Sequence, residues 1–239
     1  ALLGLALLKA SRHEEGVVSV QRALELSPKI RGLHAVRAAA LAALARDEEA
    51  VLAYRMALRF GDQEPDLHQG LSDCLLRLGR ASDALTAARR AVELAPDNVA
   101  CLLSLGAALY ALKRADEALP LFERVLQLEP GRLAVRHDLG VMLAHLGRHE
   151  EAIDCFQAVL AVEPAHANAL LQLARSYRSL KQYDKAAASL TRLHELAPER
   201  VDVLVELGNA LRLKGDLAAG VTLLQRALAL APEDTELMY

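Results

Sequence analysis

His145 and His149 stand four residues apart, the separation at which two imidazoles on one helical turn can hold a zinc ion. Between them lies Leu146-Gly147-Arg148, a sequence that ends a helix, so the pair is split by a turn and no metal site is expected. His34 and His68 are expected to be partly buried rings that donate to backbone carbonyls. Cys74, Cys101 and Cys155 follow no metal-binding or redox spacing and sit in helical context. They are read as small core residues of a protein in a reducing compartment, the cytoplasm. The chain has no phosphate-cradling glycine loop, nucleophile elbow or paired-cysteine motif, so no catalytic residue and no cofactor is assigned. The chemistry that remains is carboxylate recognition by guanidinium groups, for which Arg175, Arg178 and Arg212 are the candidates.

Those residues need elements to position them, and the elements follow from a repeat. Proline recurs at Pro28, Pro96, Pro130, Pro164, Pro198 and Pro232, with gaps of 34 residues or a multiple of it. Where the series skips, Asp62 is preceded by Gly61 and followed by Pro65, which preserves a helix-stopping turn. With proline as position 32, full units begin at Arg31, Pro65, Val99, Leu133, Ala167 and Val201. A partial unit, residues 1–30, comes before them, and residues 235–239 start a further one. A regular array of this kind is expected to form one elongated solenoid over residues 1–239, with no interdomain linker.

Two columns hold only small residues. Position 8 is Gly4, Ala38, Ser72, Gly106, Gly140, Ala174 and Gly208; position 20 is Gly16, Ala50, Ala84, Ala118, Ala152, Ala186 and Gly220. Two antiparallel helices need small side chains where they approach most closely. Positions 4, 7, 8 and 11 form a helical stripe, as in Leu102, Leu105, Gly106 and Leu109, which predicts the buried face of a first helix. Position 24 is bulky in most units (Val20, Tyr54, Phe122, Phe156, Leu190, Leu224) and fills the groove from a second helix. Each unit is thus a helical hairpin, closed by "LGR" at residues 78–80 and 146–148 or "KGD" at 214–216. At about 100° per residue, positions 2, 5, 6, 9, 12 and 13 of the first helix point away from its partner.

The stretch "LGVMLAHLGRHEEAIDCFQAVLAVEP" from Leu139 to Pro164 carries small, aromatic and proline residues in the pattern of the tetratricopeptide repeat family, which the whole chain resembles. One departure is position 4, often aromatic in that family, which here is His34, His68, Leu102, Arg136, Leu170 and Leu204. Packing there is expected to be smaller or wetter. The resemblance implies an all-α, right-handed superhelix of antiparallel helix pairs whose concave groove is lined by the outward positions of the first helices. In order, that groove offers Ala35, Val36 and Ala39; Gln69, Asp73 and Arg77; Leu103, Ser104, Ala107 and Tyr110; His137, Asp138, Val141 and His145; Gln172, Arg175 and Arg178; and Glu206, Asn209 and Arg212. Family members that clamp a terminal carboxylate or run an asparagine ladder use Lys and Asn at set positions. Here position 6 is Leu2, Val36, Gly70, Ser104, Asp138, Gln172 and Glu206, so both modes are disfavoured.

The expected role is a non-catalytic protein-interaction module that holds a partner peptide with apolar anchors near Tyr110 and an acidic stretch near the arginines. Two alternatives stay open. The array is the substrate-docking part of a larger enzyme, as similar arrays precede glycosyltransferase and sulfotransferase domains, or it is a self-assembling scaffold. For the arginines, the alternative is a solvated face with Glu206 as local partner. A composition of 53% hydrophobic and 25% charged residues with net charge −3 and no Lys/Arg block excludes a general nucleic-acid binder. No apolar run reaches the ~18 residues of a membrane span. At the ends, Leu2, Leu3, Leu5, Leu7 and Leu8 and the face of Leu223, Leu224, Leu228 and Leu230 lack polar caps, so end-to-end association is expected.

Overall fold

The computed structural model describes residues 12–27, 30, 32–61 and 64–231. Among them are thirteen α-helices and no strand. The chain groups into two compact units, residues 1–130 and 131–239, described here in turn.

The first unit contains α1 (His13–Leu26), α2 (Leu33–Ala43), α3 (Asp47–Arg59), α4 (Pro65–Arg77), α5 (Ala81–Leu94), α6 (Val99–Ala111) and α7 (Ala115–Leu128). Each helix packs on the next in sequence, and the first helices α4 and α6 also lie side by side. The second unit contains α8 (Leu133–His145), α9 (His149–Val162), α10 (Ala167–Ser179), α11 (Tyr183–Leu196), α12 (Val201–Lys214) and α13 (Leu217–Leu230), packed in the same successive way. The first helices from α4 onward begin at residues 65, 99, 133, 167 and 201, the starts of the repeat units. Turns fall at residues 96–97, 130–131, 164–165 and 198–199 as the prolines predict; the turn expected at Asp62 lies outside the described residues.

Local chemistry explains the boundaries. Pro65 opens α4, where its missing N–H costs nothing. The Asn98 side chain accepts from the amides of Ala100 (2.9 Å) and Cys101 (3.2 Å) and caps α6, and Asp216 caps α13 through the Ala219 amide. Acidic side chains load the first turns of second helices, as in Asp47, Glu48 and Glu49, where they favour the positive helix end. Inside each hairpin one residue takes the left-handed conformation. It is glycine at Gly79, Gly147 and Gly215, but Ala45, Lys113 and Lys181 occupy the same place at φ 56°, 60° and 59°.

The two small columns are where paired helices touch. A Cβ on Gly208 would meet the Gly220 carbonyl oxygen at 3.0 Å, and one on Gly220 would meet the Gly208 oxygen at 2.8 Å. Gly140 lies against Phe156, whose ring is fully buried. The structure adds a second buried stripe at positions 3 and 10, seen as Leu67 with Cys74, Cys101 with Ala108, Val135 with Met142 and Val203 with Ala210. Cys74 and Cys101 are core residues as expected, while Cys155 is only partly buried. Of the terminal apolar residues, 2–8 and 235–239 lie outside the described residues. On α13, Leu223, Leu224 and Leu228 are partly buried, and Leu230, Leu217 and Val221 are exposed.

Candidate functional site

In the first unit the outward positions of α4 and α6 form one face. Its polar members are engaged internally. Asp73 accepts from the Ser104 hydroxyl at 2.8 Å and from the Gln69 amide, and burial pushes its carboxyl above the usual range. Ser104, expected in the open, is buried because α6 packs against α4. Arg77 reaches the start of α3, donating to Asp47 through Nε (3.0 Å) and Nη2 (2.6 Å); that fork holds the Asp47 carboxyl below its ordinary value. Tyr54 packs its phenol against Gly70, and burial pushes it up to about 12. The open part of the face is Ala107 and Tyr110, the latter 36% exposed, beside a partly buried Leu103.

In the second unit the corresponding face belongs to α8, α10 and α12. Arg175 on α10 donates from Nε to Glu206 on α12 at 2.9 Å, and Arg178 Nη1 donates to the other oxygen of the same carboxylate. The Glu206 side chain is only 15% exposed, whereas both arginine side chains are 40% exposed or more. The Arg212 side chain is exposed and makes no hydrogen bond or ion pair among the described residues. Two guanidiniums therefore share one bridging carboxylate, and Arg212 lies outside that bridge. Arg178 turns to Glu206, the local partner named in the alternative reading of the arginines. Gln172 and Asn209 are partly buried beside them.

His137 is less open than its position suggests. Its ring packs 5.7 Å from Phe156 and 5.4 Å from His166, with Nδ1 at 3.3 Å from Asp138, and its Nε2 is buried without a hydrogen bond. His166 in turn accepts from the Ala169 amide at 3.1 Å, capping α10. Asp138 is exposed and Val141 partly buried. His145 and His149 end and begin different helices, and among the described residues no group of three or more His, Cys, Asp or Glu side chains is placed to hold a metal. His34 stacks on Phe60 at 5.1 Å, and the carbonyl bond expected of His68 gives way to an Nε2 buried with no hydrogen bond. The Asp47 partner of Arg77 escaped the sequence reading, since it joins neighbouring hairpins 30 residues apart.

No helix among the described residues is long and apolar enough to cross a membrane. Family models described as "Tetratricopeptide repeat" match residues 65–98, 98–162, 131–199 and 171–235. No curated protein matches the chain significantly. Among solved structures, the C-terminal part of a TPR repeat-containing protein from Cytophaga hutchinsonii is similar with TM-score 0.82 at 17% identity, over 99% of this chain and 97% of that one. MamA from Desulfovibrio magneticus RS-1 is similar with TM-score 0.68 at 24% identity, over 73% and 98%. YrrB, described as a TPR protein with an unusual peptide-binding site, gives TM-score 0.67 at 17% identity, over 78% and 96%. With the repeat register, the helix pairs and these family matches in agreement, the chain belongs to the tetratricopeptide repeat family.

Proposed function

We propose that this chain is a non-catalytic module that binds a segment of a partner protein on its first-helix faces. The observation that carries the reading is the sharing of Glu206 by Arg175 and Arg178, with Arg212 on the same outward side of α12. One carboxylate cannot neutralise three guanidiniums, and each guanidinium has five N–H donors. The bridge also fixes two long side chains in advance, which lowers the entropy cost of receiving a further carboxylate. The segment taken here is acidic. In the first unit, Leu103, Ala107 and Tyr110 offer an apolar contact whose phenol suits a half-wet anchor. That YrrB shares the fold and is described as having a peptide-binding site supports this use of it.

A display selection of random peptides against the intact chain tests the proposal. Enriched peptides should combine acidic and apolar residues, and their binding should weaken as salt is raised. Reversing Arg178→Glu and Arg212→Glu together should weaken them at least about tenfold, roughly 1.4 kcal/mol. Enrichment of neutral or basic peptides, or an unchanged affinity in the double variant, overturns it.

A further inference from the structure

A cleft of about 620 Å³ opens among α3, α4 and α5, all within the first unit. It lies over the position where the family's aromatic residue is replaced by His68. In four other hairpins that position is filled and buried by Leu102, Leu170 or Leu204, or by His34 stacked on Phe60, and in the hairpin of α8 it is a partly buried Arg136. At His68 the ring only partly fills the space, and its Nε2 is shielded from water without a hydrogen bond. The floor is apolar, built from Leu58, Leu71 and Leu75. The rim is basic. The Arg89 side chain makes no hydrogen bond or ion pair among the described residues and feels Glu117 only through space, and Arg55 is 3.7 Å from Asp83, which is held more closely by Arg80 at 2.6 Å. Arg90 is paired with Glu93 at 2.8 Å. His68, Leu71 and Leu75 lie on a different side of α4 from Gln69, Asp73 and Arg77, so the cleft is separate from the first-helix face.

We infer that this cleft is a second binding site, for a partner-protein segment that inserts one large apolar side chain and places a neighbouring carboxylate on the arginine rim. The cleft takes the side chain because water leaves the inserted group and the partly exposed Leu58, over a base of already buried Leu71 and Leu75. Arg89 and Arg55 take the carboxylate through charge-assisted hydrogen bonds. A wide apolar side chain and a carboxylate on adjacent residues of a peptide match a cleft of about 620 Å³ rimmed by Arg55 and Arg89 better than a simple aliphatic acid does.

The test is a titration of the full chain followed through the imidazole carbon-bound proton signals of His68. The probes are acetyl-Phe-Glu-amide, acetyl-Phe-Lys-amide and hexanoate. The acidic dipeptide should shift the His68 signals saturably, the lysine analogue should bind at least about tenfold more weakly, and hexanoate should bind more weakly than the acidic dipeptide. Arg89→Glu, an exposed change, should weaken the acidic dipeptide at least about tenfold. Arg178→Glu should leave it unaltered, which separates this site from the first-helix faces. His68→Phe should fill the cleft and abolish binding, read by intrinsic chemical-shift changes at the Leu71 and Leu75 methyls, without lowering the melting midpoint. Unmoved His68 signals, equal binding of the two dipeptides, or full binding by Arg89→Glu overturns the inference; hexanoate binding as well as the acidic dipeptide overturns the peptide occupant.

Discussion

Glu206 sets how much positive charge the face of α8, α10 and α12 presents. Replacing Glu206→Gln keeps the shape and removes the one carboxylate that Arg175 and Arg178 share. Because both arginines are well exposed, the stability cost should not exceed about 1 kcal/mol. An acidic peptide should bind the variant more tightly, which calorimetry would show. His68 carries a separate signature. Burial first, and then the nearby Arg90, hold its imidazole below the ordinary value, with Glu93 opposing them. The folded state thus resists a proton that the unfolded chain accepts, so this contribution to stability is present above about pH 6.5 and is lost as pH falls below it. The melting midpoint of His68→Gln should therefore fall less than that of the parent between pH 7.5 and 5.5. An equal fall in both would show that His68 is no part of the acid sensitivity.

At the level of elements, the hairpin turns and the helix crossings carry the sharpest expectations. Ala45, Lys113 and Lys181 hold a left-handed backbone that a Cβ disfavours by about 1–2 kcal/mol, against an entropy cost for glycine of about 0.5–1 kcal/mol. Lys113→Gly should accordingly raise stability slightly, by up to about 1 kcal/mol, in a denaturant titration. Gly220→Ala should do the reverse. Its Cβ would press on the Gly208 carbonyl at 2.8 Å, a backbone contact that cannot swing aside, at a cost on the order of 1–3 kcal/mol. Pro120 sits inside α7, where it lacks the N–H that would bond one turn back. Pro120→Ala should stabilise the protein, by no more than the roughly 3 kcal/mol separating the two residues in a helix interior.

Within each unit, stability in tandem hairpins is a sum of local terms, because each helix packs chiefly on its neighbours in sequence. Ala152 is fully buried on α9 in the small column facing α8. Ala152→Phe should overpack that hairpin by on the order of 1–3 kcal/mol. Hydrogen exchange should show amides of α8 and α9 losing protection while those of α2 to α5 keep theirs. Uniform loss along the chain would mean that cooperativity extends much further than nearest neighbours.

The sequence by itself determined the repeat length, the hairpins and their register. Those features are written in local chemistry that needs no partner: proline and glycine at fixed offsets, caps such as Asn98, and a 3.6-residue apolar stripe ending in the small columns. It also identified Arg175, Arg178, Arg212 and Glu206 as neighbours on one outward face. Tertiary structure alone decided which of these groups are occupied. The contacts that join hairpins, Arg77 with Asp47, Ser104 with Asp73, and both arginines with Glu206, link residues 28 to 31 apart on different helices. Their geometry depends on how far one helix slides along the next, and helical periodicity carries no information about that offset. The same holds for the cleft over His68: the sequence marks a missing aromatic ring, but only the packing of α3, α4 and α5 decides whether neighbours close over the gap or leave it open.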